Sequence, residues 1–240
     1  DVLANINKRF GDYSLVVNVG ASIVDNKYDE LSYRGPIRAN GIPNVFNVFD
    51  LDNTQKKARQ DEWEEQTQSI FASAELGWKS MLYLTLTGRN DWASQLANSS
   101  STCFFYPSVG LSAIISEMVK LPSAIDYLKI RGSFSSVGMP YPRNLTSPTF
   151  EYDETTQTWK PKTHYPIGDL KPERTNSWEL GLDMRLFKDF NLGVSWYLAN
   201  TFNQTFDPKI SVSSGYTTIY MQTGHVRNQG VELSLGYGHT

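Results

Sequence analysis

The feature that most constrains this chain is a sustained alternation of apolar and polar residues with a period of two. In 69–78, for example, Ile70, Leu76 and Trp78 fall on one side of the alternation and Glu75 on the other. Such alternation places successive side chains on opposite faces of a β-strand. It recurs in 15–23, 69–78, 82–89, 107–115, 128–135, 177–186, 190–199 and 229–237. The pattern therefore predicts an all-β chain of about ten antiparallel strands, each with one apolar and one polar face.

The connections between these segments are unequal in length. Gly11-Asp12, Lys79-Ser80 and Lys188-Asp189 are interpreted as two-residue hairpin turns, and 117–126 as a connection that contains a helical turn. The remaining connections are long and rich in Gly, Pro, Asn and Asp; they are 25–62, 93–103, 139–173 and 203–227. Followed up and down the strands, the short connections fall at one end and the long ones at the other. This asymmetry is typical of outer-membrane barrels, in which periplasmic turns are short and extracellular loops are long.

The composition of the two strand faces also favours a transmembrane barrel. The apolar runs cover about nine to eleven residues per strand, which is the length a tilted strand needs to cross the hydrocarbon. The opposite face carries charged residues that we expect to face a watery lumen; they are Glu75, Arg89, Lys129, Arg131, Glu179, Asp183, Arg185 and Glu232. Aromatic residues gather near the turns, where they are expected to form an interfacial girdle; they are Phe10, Tyr13, Trp78, Tyr127, Phe187, Phe190 and Tyr237.

Charge and hydropathy exclude several classes of protein. With 22 basic and 25 acidic residues the net charge is −3, so a nucleic-acid partner is not expected. No stretch approaches the roughly 20 consecutive apolar residues of a membrane-spanning helix. The mean hydropathy of −0.40 resembles that of a soluble protein. Averaging over alternate residues, however, hides the apolar stripe on each strand.

Residues that could carry catalysis or bind a metal do not form a recognisable pattern. Cys103 is the single cysteine, and His164, His225 and His239 have no metal-ligand spacing. The acidic cluster at 61–65 is interpreted as a solvated loop edge beside a strand. Because no nucleophile, phosphate-binding or zinc motif occurs either, the chain is predicted not to be an enzyme and to bind no cofactor or metal.

Seven strings resemble one family in order and spacing. They are 87–92 (TGRNDW), 104–108 (FFYPS), 128–138 (LKIRGSFSSVG), 169–183 (DLKPERTNSWELGLD), 200–206 (NTFNQTF), 214–216 (SGY) and 228–233 (NQGVEL). Together they are similar to the C-terminal part of the barrel of SusC-like (RagA-like) TonB-dependent outer-membrane transporters of Bacteroidetes. The resemblance covers nearly the whole chain.

The resemblance implies a barrel of about 22 strands whose lumen holds a plug domain. It further implies location in the outer membrane of a Gram-negative bacterium and contact with its lipid. A SusD-like surface lipoprotein is implied as a lid, a TonB complex as the energy source, and an oligosaccharide or peptide as the imported substrate. We expect 1–240 to be one partial barrel domain, with the plug, the first strands and the regions that contact TonB outside this chain.

Several motif residues carry more local predictions. Pro107 lacks an N–H, so it is expected at a strand entrance or a bulge. Glu173 and Arg174 are adjacent and should point to opposite faces, so each is expected to pair with a charge such as Arg89 or Asp91 on another strand. Gly230 is expected to let a plug or a neighbouring backbone approach closely, and Glu232 to offer its carboxylate to a plug cation.

Substrate contacts are expected from aromatic and imidazole rings in the long loops, because flat rings stack on sugar faces. The candidates are Tyr152, Trp159, His164 and Tyr165 in loop 139–173, and Phe46, Phe49 and Trp63 in or beside loop 25–62. The alternative role for these rings is to hold the loops together or against the lid.

Two other classes of protein fit the same alternation. One is a secreted β-sandwich that presents aromatic loops to glycans, and the other is a surface adhesin. A sandwich buries its apolar faces against each other, whereas a membrane barrel directs them to lipid and makes its polar faces converge. The exposure of the apolar face therefore discriminates between these architectures.

Overall fold

The structure is a computed structural model, which describes residues 1–41, 44–45, 47–99, 101–143, 145, 150–153, 156–161, 164–165 and 171–238. Contacts divide the chain into two units, 1–23 with 67–240 and 24–66, and the two are described separately. Nine strands form one sheet; they are β1 (Val2–Phe10), β2 (Tyr13–Arg34), β3 (Lys57–Trp78), β4 (Leu82–Ala93), β5 (Cys103–Ile114), β6 (Ile125–Met139), β10 (Glu173–Leu186), β11 (Phe190–Phe206) and β13 (Met221–Tyr237). Four short strands lie in the connections; they are β7 (Phe150–Asp153), β8 (Thr158–Pro161), β9 (His164–Tyr165) and β12 (Thr218–Ile219).

The nine-stranded sheet is antiparallel and follows chain order, β1-β2-β3-β4-β5-β6-β10-β11-β13. β1 and β13 stand at the two ends of this order, so each pairs with a neighbour along one side only. The sheet is therefore not closed within the described part of the chain. An all-β, antiparallel, partial barrel wall was predicted, and both the fold class and its incompleteness are confirmed.

Strand register carries one apolar face across the sheet. Directly opposed residues of antiparallel neighbours share a face, and one such row runs through Leu76, Leu84, Leu111, Gly132, Leu180, Trp196 and Val231. We call the side that holds this row the apolar face. Many of its large side chains are exposed, with Leu180 at 58% and Val231 at 68%, whereas Leu84 and Trp196 are half-buried.

The exposed apolar face contradicts the β-sandwich alternative. A sandwich would bury Leu180 and its neighbours against a second sheet, yet all nine strands lie in a single sheet. A contiguous exposed apolar surface of this extent is unusual for a soluble monomer and marks a surface that meets another apolar phase.

Among the described residues, the buried hydrophobic side chains form one small cluster on the other side of the sheet, near the long connections. Leu96 is fully buried there in a 3-10 turn (Ser94–Leu96), packed with Ala93, Phe104 and Tyr141. Phe104 lies opposite Asp91 in register and so belongs to the polar side of the sheet. The chain thus has little core of its own, because its main apolar surface points outward.

Two of the three predicted hairpin turns differ in length from the prediction. Gly11 and Asp12 connect β1 to β2 as a two-residue turn, as predicted, with Gly11 at φ 59°. The other two turns have three residues, since Trp78 pairs with Leu82 and Leu186 with Phe190. The physical reason is that these turns place two consecutive non-Gly residues at positive φ and then add a third residue before pairing resumes. The helical turn predicted in 117–126 is present slightly earlier, as α1 (Ile115–Met118).

The strands extend further than the alternation predicted, and the long connections are correspondingly shorter. β2 continues to Arg34 and β3 begins at Lys57, so much of the predicted loop 25–62 is strand. β13 likewise begins at Met221. These strands continue beyond the point where the apolar stripe ends. A strand segment that is exposed to solvent on both faces shows no alternation, so the period of two does not reveal it.

The unit 24–66 holds the outer parts of β2 and β3 and the segment between them. Asn47 caps a 3-10 turn (Val48–Asp50) by accepting the Asp50 N–H at 3.0 Å. Arg38 forms a 3.0 Å ion pair with Asp50, whose side chain is buried. Thr54 donates its N–H and hydroxyl to Asp52 at 2.8 and 2.6 Å, which holds the pKa of that carboxyl below its ordinary value. The acidic cluster 61–65 lies within β3 rather than at a loop edge, which corrects that prediction.

Among the described residues, no helix is both long and apolar enough to cross a membrane.

Candidate functional site

The eight charged residues predicted to share one face do share it. The face opposite the apolar one is marked by the row Ser73, Thr87, Ser108, Ser135, Ser177, Ala199 and Asn228, and we call it the polar face. At a separation of two residues or a multiple of two, the same face holds Glu75, Arg89, Lys129, Arg131, Glu179, Asp183, Arg185 and Glu232. The register of seven strands thus gathers these charges from positions far apart in sequence.

Arg131 is the centre of a polar network across three strands. Its guanidinium donates to Glu179 on β10, donates to Ser195 on β11 at 2.8 Å, and lies 3.9 Å from an Asp183 carboxylate oxygen. The Arg131 side chain is 40% exposed, so it stays accessible from the polar face. Two carboxylates and a hydroxyl fix the guanidinium plane, because Arg donates through a rigid fork.

Gly181 makes room for the Arg131 side chain. A Cβ at Gly181 would lie 2.5 Å from Arg131 Nε, which is far inside van der Waals contact. The network therefore depends on a glycine in a strand interior, a position where glycine otherwise weakens a strand. Neither Gly181 nor Ser195 was identified from the sequence, and the only available signal was their place opposite charged residues.

A second network surrounds Arg89. Its Nε donates to Asp91 at 2.7 Å, its terminal nitrogen donates to Ser69 at 2.8 Å, and its guanidinium lies 5.7 Å from the centre of the Phe71 ring. The Tyr106 hydroxyl also hydrogen-bonds Asp91. Asp91 is buried, and a buried charge is costly unless it is paired. The adjacent Arg89 guanidinium and Tyr106 hydroxyl offset this cost.

This second network corrects the pairing predicted for Glu173 and Arg174. Arg89 and Asp91 pair with each other, and Arg174 donates to the carbonyl of Phe105 at 3.2 Å. Adjacent residues on β10 do point to opposite faces, as predicted, because Arg174 lies opposite Gly138 while Glu173 lies opposite Met139. The prediction failed because Arg89 and Asp91, two residues apart on β4, pair with each other. The sequence does not reveal that this contact leaves neither of them for Glu173 or Arg174.

For four of the eight predicted charged residues no ion pair within 4.0 Å to a described residue is found; they are Glu75, Lys129, Arg185 and Glu232. Glu75 lies opposite Thr85, Glu232 opposite Ser195, and Lys129 opposite Asp183. A depression of about 760 Å³ lies at the turn end of this face; its lining includes Tyr127, Arg131, Asp183, Arg185, Ser195 and Glu232. This depression therefore brings together charges held in ion pairs, such as Arg131 and Asp183, and charges without an ion pair to a described residue, such as Arg185 and Glu232.

Two local predictions have different outcomes. Pro107 lies inside β5, opposite Gly88, rather than at its entrance. It directly precedes Ser108, the first β5 residue in register with β6. The proline therefore lies just before the part of β5 that pairs with a strand on each side. At Gly230 a Cβ would lie 2.7 Å from the Tyr197 hydroxyl. A tyrosine ring of the neighbouring strand, rather than a backbone, occupies the space that this glycine leaves.

The turn-end aromatic residues lie mostly on the apolar face. Phe10 and Tyr13 stack at 5.7 Å, Phe190 and Tyr237 contact each other at 5.0 Å, and Trp78 pairs in register with Leu82. Tyr127 differs, because it lies opposite Arg185 on the polar face. Phe187 lies in the turn itself.

The predicted loop residues occupy separate places. Tyr152 and Trp159 contact each other across the β7–β8 hairpin at 5.2 Å, and Trp159 is 69% exposed. Tyr165 contacts Tyr216 at 5.2 Å. Trp63 lies in β3 and stacks on Tyr28 at 5.4 Å. Phe49 is exposed, whereas Phe46 and the side chain of His164 lie outside the described residues.

The Gln222 side chain joins the start of β13 to the segment that precedes β10. Its side-chain oxygen accepts the Lys171 N–H at 2.6 Å, and its nitrogen donates to the Lys171 carbonyl at 2.5 Å. Nearby, β9 and β12 pair in parallel through Thr218 opposite His164 and Ile219 opposite Tyr165. The two connections are therefore held together by backbone and side-chain bonds, which the sequence did not predict.

Among the described residues, no cluster of three or more His, Cys, Asp or Glu side chains could hold a metal ion. Cys103 is a half-buried free thiol at the start of β5.

Comparison with known proteins gives consistent matches. Residues 3–238 match the family model described as TonB dependent receptor-like, beta-barrel. The chain is 27% identical over 243 residues to TonB-dependent receptor P39 of Formosa agariphila, covering 96% of this chain and 23% of that protein. The chain therefore spans about a quarter of the length of this relative.

Solved structures with the same fold are similar over almost the whole chain. The RagAB peptide transporter structure matches with a TM-score of 0.80 at 18% identity, covering 97% of this chain and 26% of the matched chain. The outer membrane transporter YddB of Escherichia coli matches with a TM-score of 0.62 at 13% identity, covering 97% and 29%. The siderophore receptor PirA of Acinetobacter baumannii matches with a TM-score of 0.59 at 17% identity, covering 98% and 33%.

Proposed function

The chain belongs to the TonB-dependent receptor-like β-barrel family, and from this we propose that the protein containing it imports a nutrient across the outer membrane. The observation that carries the proposal is the separation of the two sheet faces by strand register. Large apolar side chains are exposed on the apolar face of every strand of the nine-stranded sheet from β3 to β13, as lipid contact requires, and the opposite face collects the charges. All of 1–240 contributes to the barrel in this proposal, and no chemical reaction is assigned to the chain.

The polar face lines the lumen in the proposed transporter. The Arg131 and Arg89 networks then hold neighbouring strands together within an aqueous interior, where partly exposed ion pairs contribute modestly to stability. Glu75 and Glu232 have no ion pair with a described residue, so they are the carboxylates available to a cationic group of a plug or solute.

The imported substrate is proposed to be a peptide or an oligosaccharide, delivered under a SusD-like surface lipoprotein and driven by a TonB complex. The matched RagAB structure is described as a peptide transporter, which supports the peptide alternative. The exposed Tyr152–Trp159 pair on the β7–β8 hairpin supports contact with a flat sugar face or with the lipoprotein. Tyr165 on β9 and Trp63 on β3 are less favoured, because Tyr165 is less exposed than Trp159, at 46% against 69%, and Trp63 is half-buried. His164 stays a candidate of the proposal.

The test replaces Tyr152 and Trp159 by Ala, singly and together, in the intact protein expressed in a strain that lacks its own copy. Growth on defined peptides and on defined oligosaccharides as sole nutrient is compared with that of the parent, and Tyr28→Ala serves as a control that removes a stacked ring elsewhere. Loss of growth on one class of nutrient identifies the substrate class. Unchanged growth on every nutrient would refute substrate contact by the hairpin.

The import proposal has its own test. The intact protein should fractionate with outer membranes, require detergent for extraction, and migrate differently on gels before and after heating. If it were recovered as a water-soluble monomer without detergent, the transporter assignment would fail.

A further inference from the structure

The pairing of β5 with β6 stops before either strand does. The outermost pair in register is Ser108 with Ser135, yet β5 begins at Cys103 and β6 continues to Met139. Among the described residues, 103–107 and 136–139 therefore have no strand partner across this junction, although each segment keeps its neighbour on the other side. We call 136–139 the β6 end.

Two features of the sequence keep this junction open. Pro107 has no N–H to donate across it, and the Arg174 guanidinium donates to the Phe105 carbonyl at 3.2 Å. Proline and charged side chains on an unpaired edge prevent further strand pairing. The separation is therefore a built feature of the sheet and not the fraying of two strand ends.

The β6 end lies over the polar face of β5. Gly138 belongs to the apolar face of β6, whereas Phe104 and Tyr106 belong to the polar face of β5. A Cβ at Gly138 would nevertheless lie 3.5 Å from the Phe104 Cβ and 3.4 Å from the Tyr106 ring. Such a contact between opposite faces requires the β6 end to be displaced toward the polar side. Ser136 and Gly138 are buried as a result, so the back of the β6 end is packed.

The front of the β6 end exposes two apolar side chains. Val137 and Met139 are 48% and 60% exposed, and they lie on the polar face because they share the alternation of Ser135. Their register partners on β10 are Thr175 and Glu173. In the proposed transporter this face lines an aqueous lumen, so lipid contact does not account for the exposure of Val137 and Met139.

A carboxylate stands beside this apolar pair. Glu173 is half-buried and directly opposite Met139, and no described residue forms an ion pair with it. Directly opposed residues of antiparallel strands have their Cβ atoms about 5 Å apart, so one ligand can contact both side chains. An apolar surface beside an anionic group is complementary to a molecule that carries an apolar group next to a cation.

We propose that the β6 end and Glu173 form a binding subsite for peptides, in which Val137 and Met139 contact an apolar side chain and Glu173 binds the α-ammonium group. The inference rests on the proposed import function and names the peptide as its substrate class. Val and Met have no flat ring to stack on a sugar face, and the flexible thioether chain of Met adapts to apolar partners of different shape. Because the back of the β6 end is packed, the subsite loses little conformational entropy when it binds.

The test measures which peptides the purified intact protein retains in detergent. The probe is an equimolar mixture of four sets of short synthetic peptides, which have leucine or serine next to the N-terminal residue and a free or an acetylated N-terminus. Retained peptides are quantified by mass spectrometry. We expect enrichment of the set that combines leucine with a free N-terminus, and equal retention of the four sets would overturn the proposal.

Two variants separate the parts of the subsite. Val137→Thr combined with Met139→Gln keeps the side chains similar in size and should lower the preference for leucine about tenfold, as for partial burial of one leucine side chain. Glu173→Gln should lower the preference for a free N-terminus about two- to fivefold, as for a part-exposed ion pair. Met118→Gln and Glu117→Gln, at exposed positions of α1, are the matched controls and should change neither preference.

Each variant is first checked for heat-modifiable migration. If the double variant does not fold, Met139→Gln replaces it, and Met139→Leu, which keeps the surface apolar, should retain the preference for leucine. An unchanged leucine preference in the folded polar variant would refute the apolar contact. Loss of a copurifying lipoprotein with unchanged peptide preferences would show that the lid covers this surface, which would also overturn the proposal.

Growth on defined peptides and on defined oligosaccharides is measured in parallel for the parent protein. A parent that supports growth on oligosaccharides but retains no peptide would refute the subsite and leave the import proposal standing. Failure of the subsite is therefore distinguishable from failure of the import proposal.

Discussion

An arginine placed on the apolar face should be much more costly than one placed on the polar face at the same depth. Leu86 and Thr85 are adjacent on β4 and provide this comparison. Leu86 is 47% exposed and lies opposite Ala74 and Val109, whereas Thr85 lies opposite Glu75 and Gly110. Leu86→Arg directs a guanidinium toward lipid, and Thr85→Arg directs it toward the Glu75 carboxylate.

The magnitude follows from the position of Leu86 along the strand. It lies four residues beyond Leu82, which at about 3.3 Å per residue and a tilt of about 40° corresponds to a depth of about 10 Å. This is close to the centre of an apolar band about 25 Å tall, where an arginine costs about 2–4 kcal/mol. The folding equilibrium constant of Leu86→Arg should therefore fall about 30- to 700-fold, while Thr85→Arg should change stability by less than about 1 kcal/mol.

The measurement is reversible unfolding of the intact protein in phospholipid vesicles by guanidinium chloride, followed by tryptophan fluorescence. Leu86→Ala reports the loss of the leucine side chain alone and is subtracted from the arginine effect. Equal destabilisation by the two arginine variants, or a larger effect at Thr85, would refute the assignment of the two faces to lipid and lumen.

Three further predictions concern single contacts. Arg131→Gln leaves Glu179 and Asp183 without their shared cation, so the midpoint of unfolding should fall by an amount equivalent to about 1 kcal/mol for this part-exposed network, whereas Ser195→Ala should have a smaller effect; equal effects would contradict a central role for the guanidinium. Leu96→Ala creates a cavity in the only fully buried side-chain site among the described residues, and should cost about 2–5 kcal/mol locally, seen as faster protease cleavage within 94–102 without loss of heat-modifiable migration. Gln222→Leu removes both hydrogen bonds to Lys171 and should increase amide hydrogen exchange at Lys171, while Gln222→Glu, which keeps the acceptor, should retain protection of that N–H; identical exchange in both variants would show that the side chain does not hold this segment.

Much of the sheet was predictable because strand pairing converts a period of two into two chemically distinct faces. Once Leu180 is apolar and Glu179 charged, each antiparallel neighbour must repeat the separation or expose the wrong face. The position of the charged residues on a single face therefore followed from the sequence. The family of the chain was predicted from seven sequence strings, by their order and spacing.

The particular contacts were less predictable, because they depend on register between strands far apart in sequence. Arg131 and Ser195 are 64 residues apart and become hydrogen-bond partners only when β6, β10 and β11 align. The ends of the strands were also underestimated, since the outer parts of β2 and β3 are wet on both faces and carry no apolar stripe. The Tyr152–Trp159 contact depends on the β7–β8 hairpin, which lies within a long connection where the alternation predicts no strand.

The bonds of Gln222 have a consequence for how β13 finds its place. The pairing of β11 with β13 is irregular between Thr201 and Thr205, so the register before this point does not determine the register beyond it. Gln222 lies beyond the irregularity, where its amide also donates to Thr205 Oγ1 at 3.3 Å. A slip of one residue would turn the side chain to the opposite face and break every one of these bonds. The Gln222 side chain therefore fixes the register of the first part of β13. The amide that joins two connections also stabilises one register of this strand over those shifted by a residue.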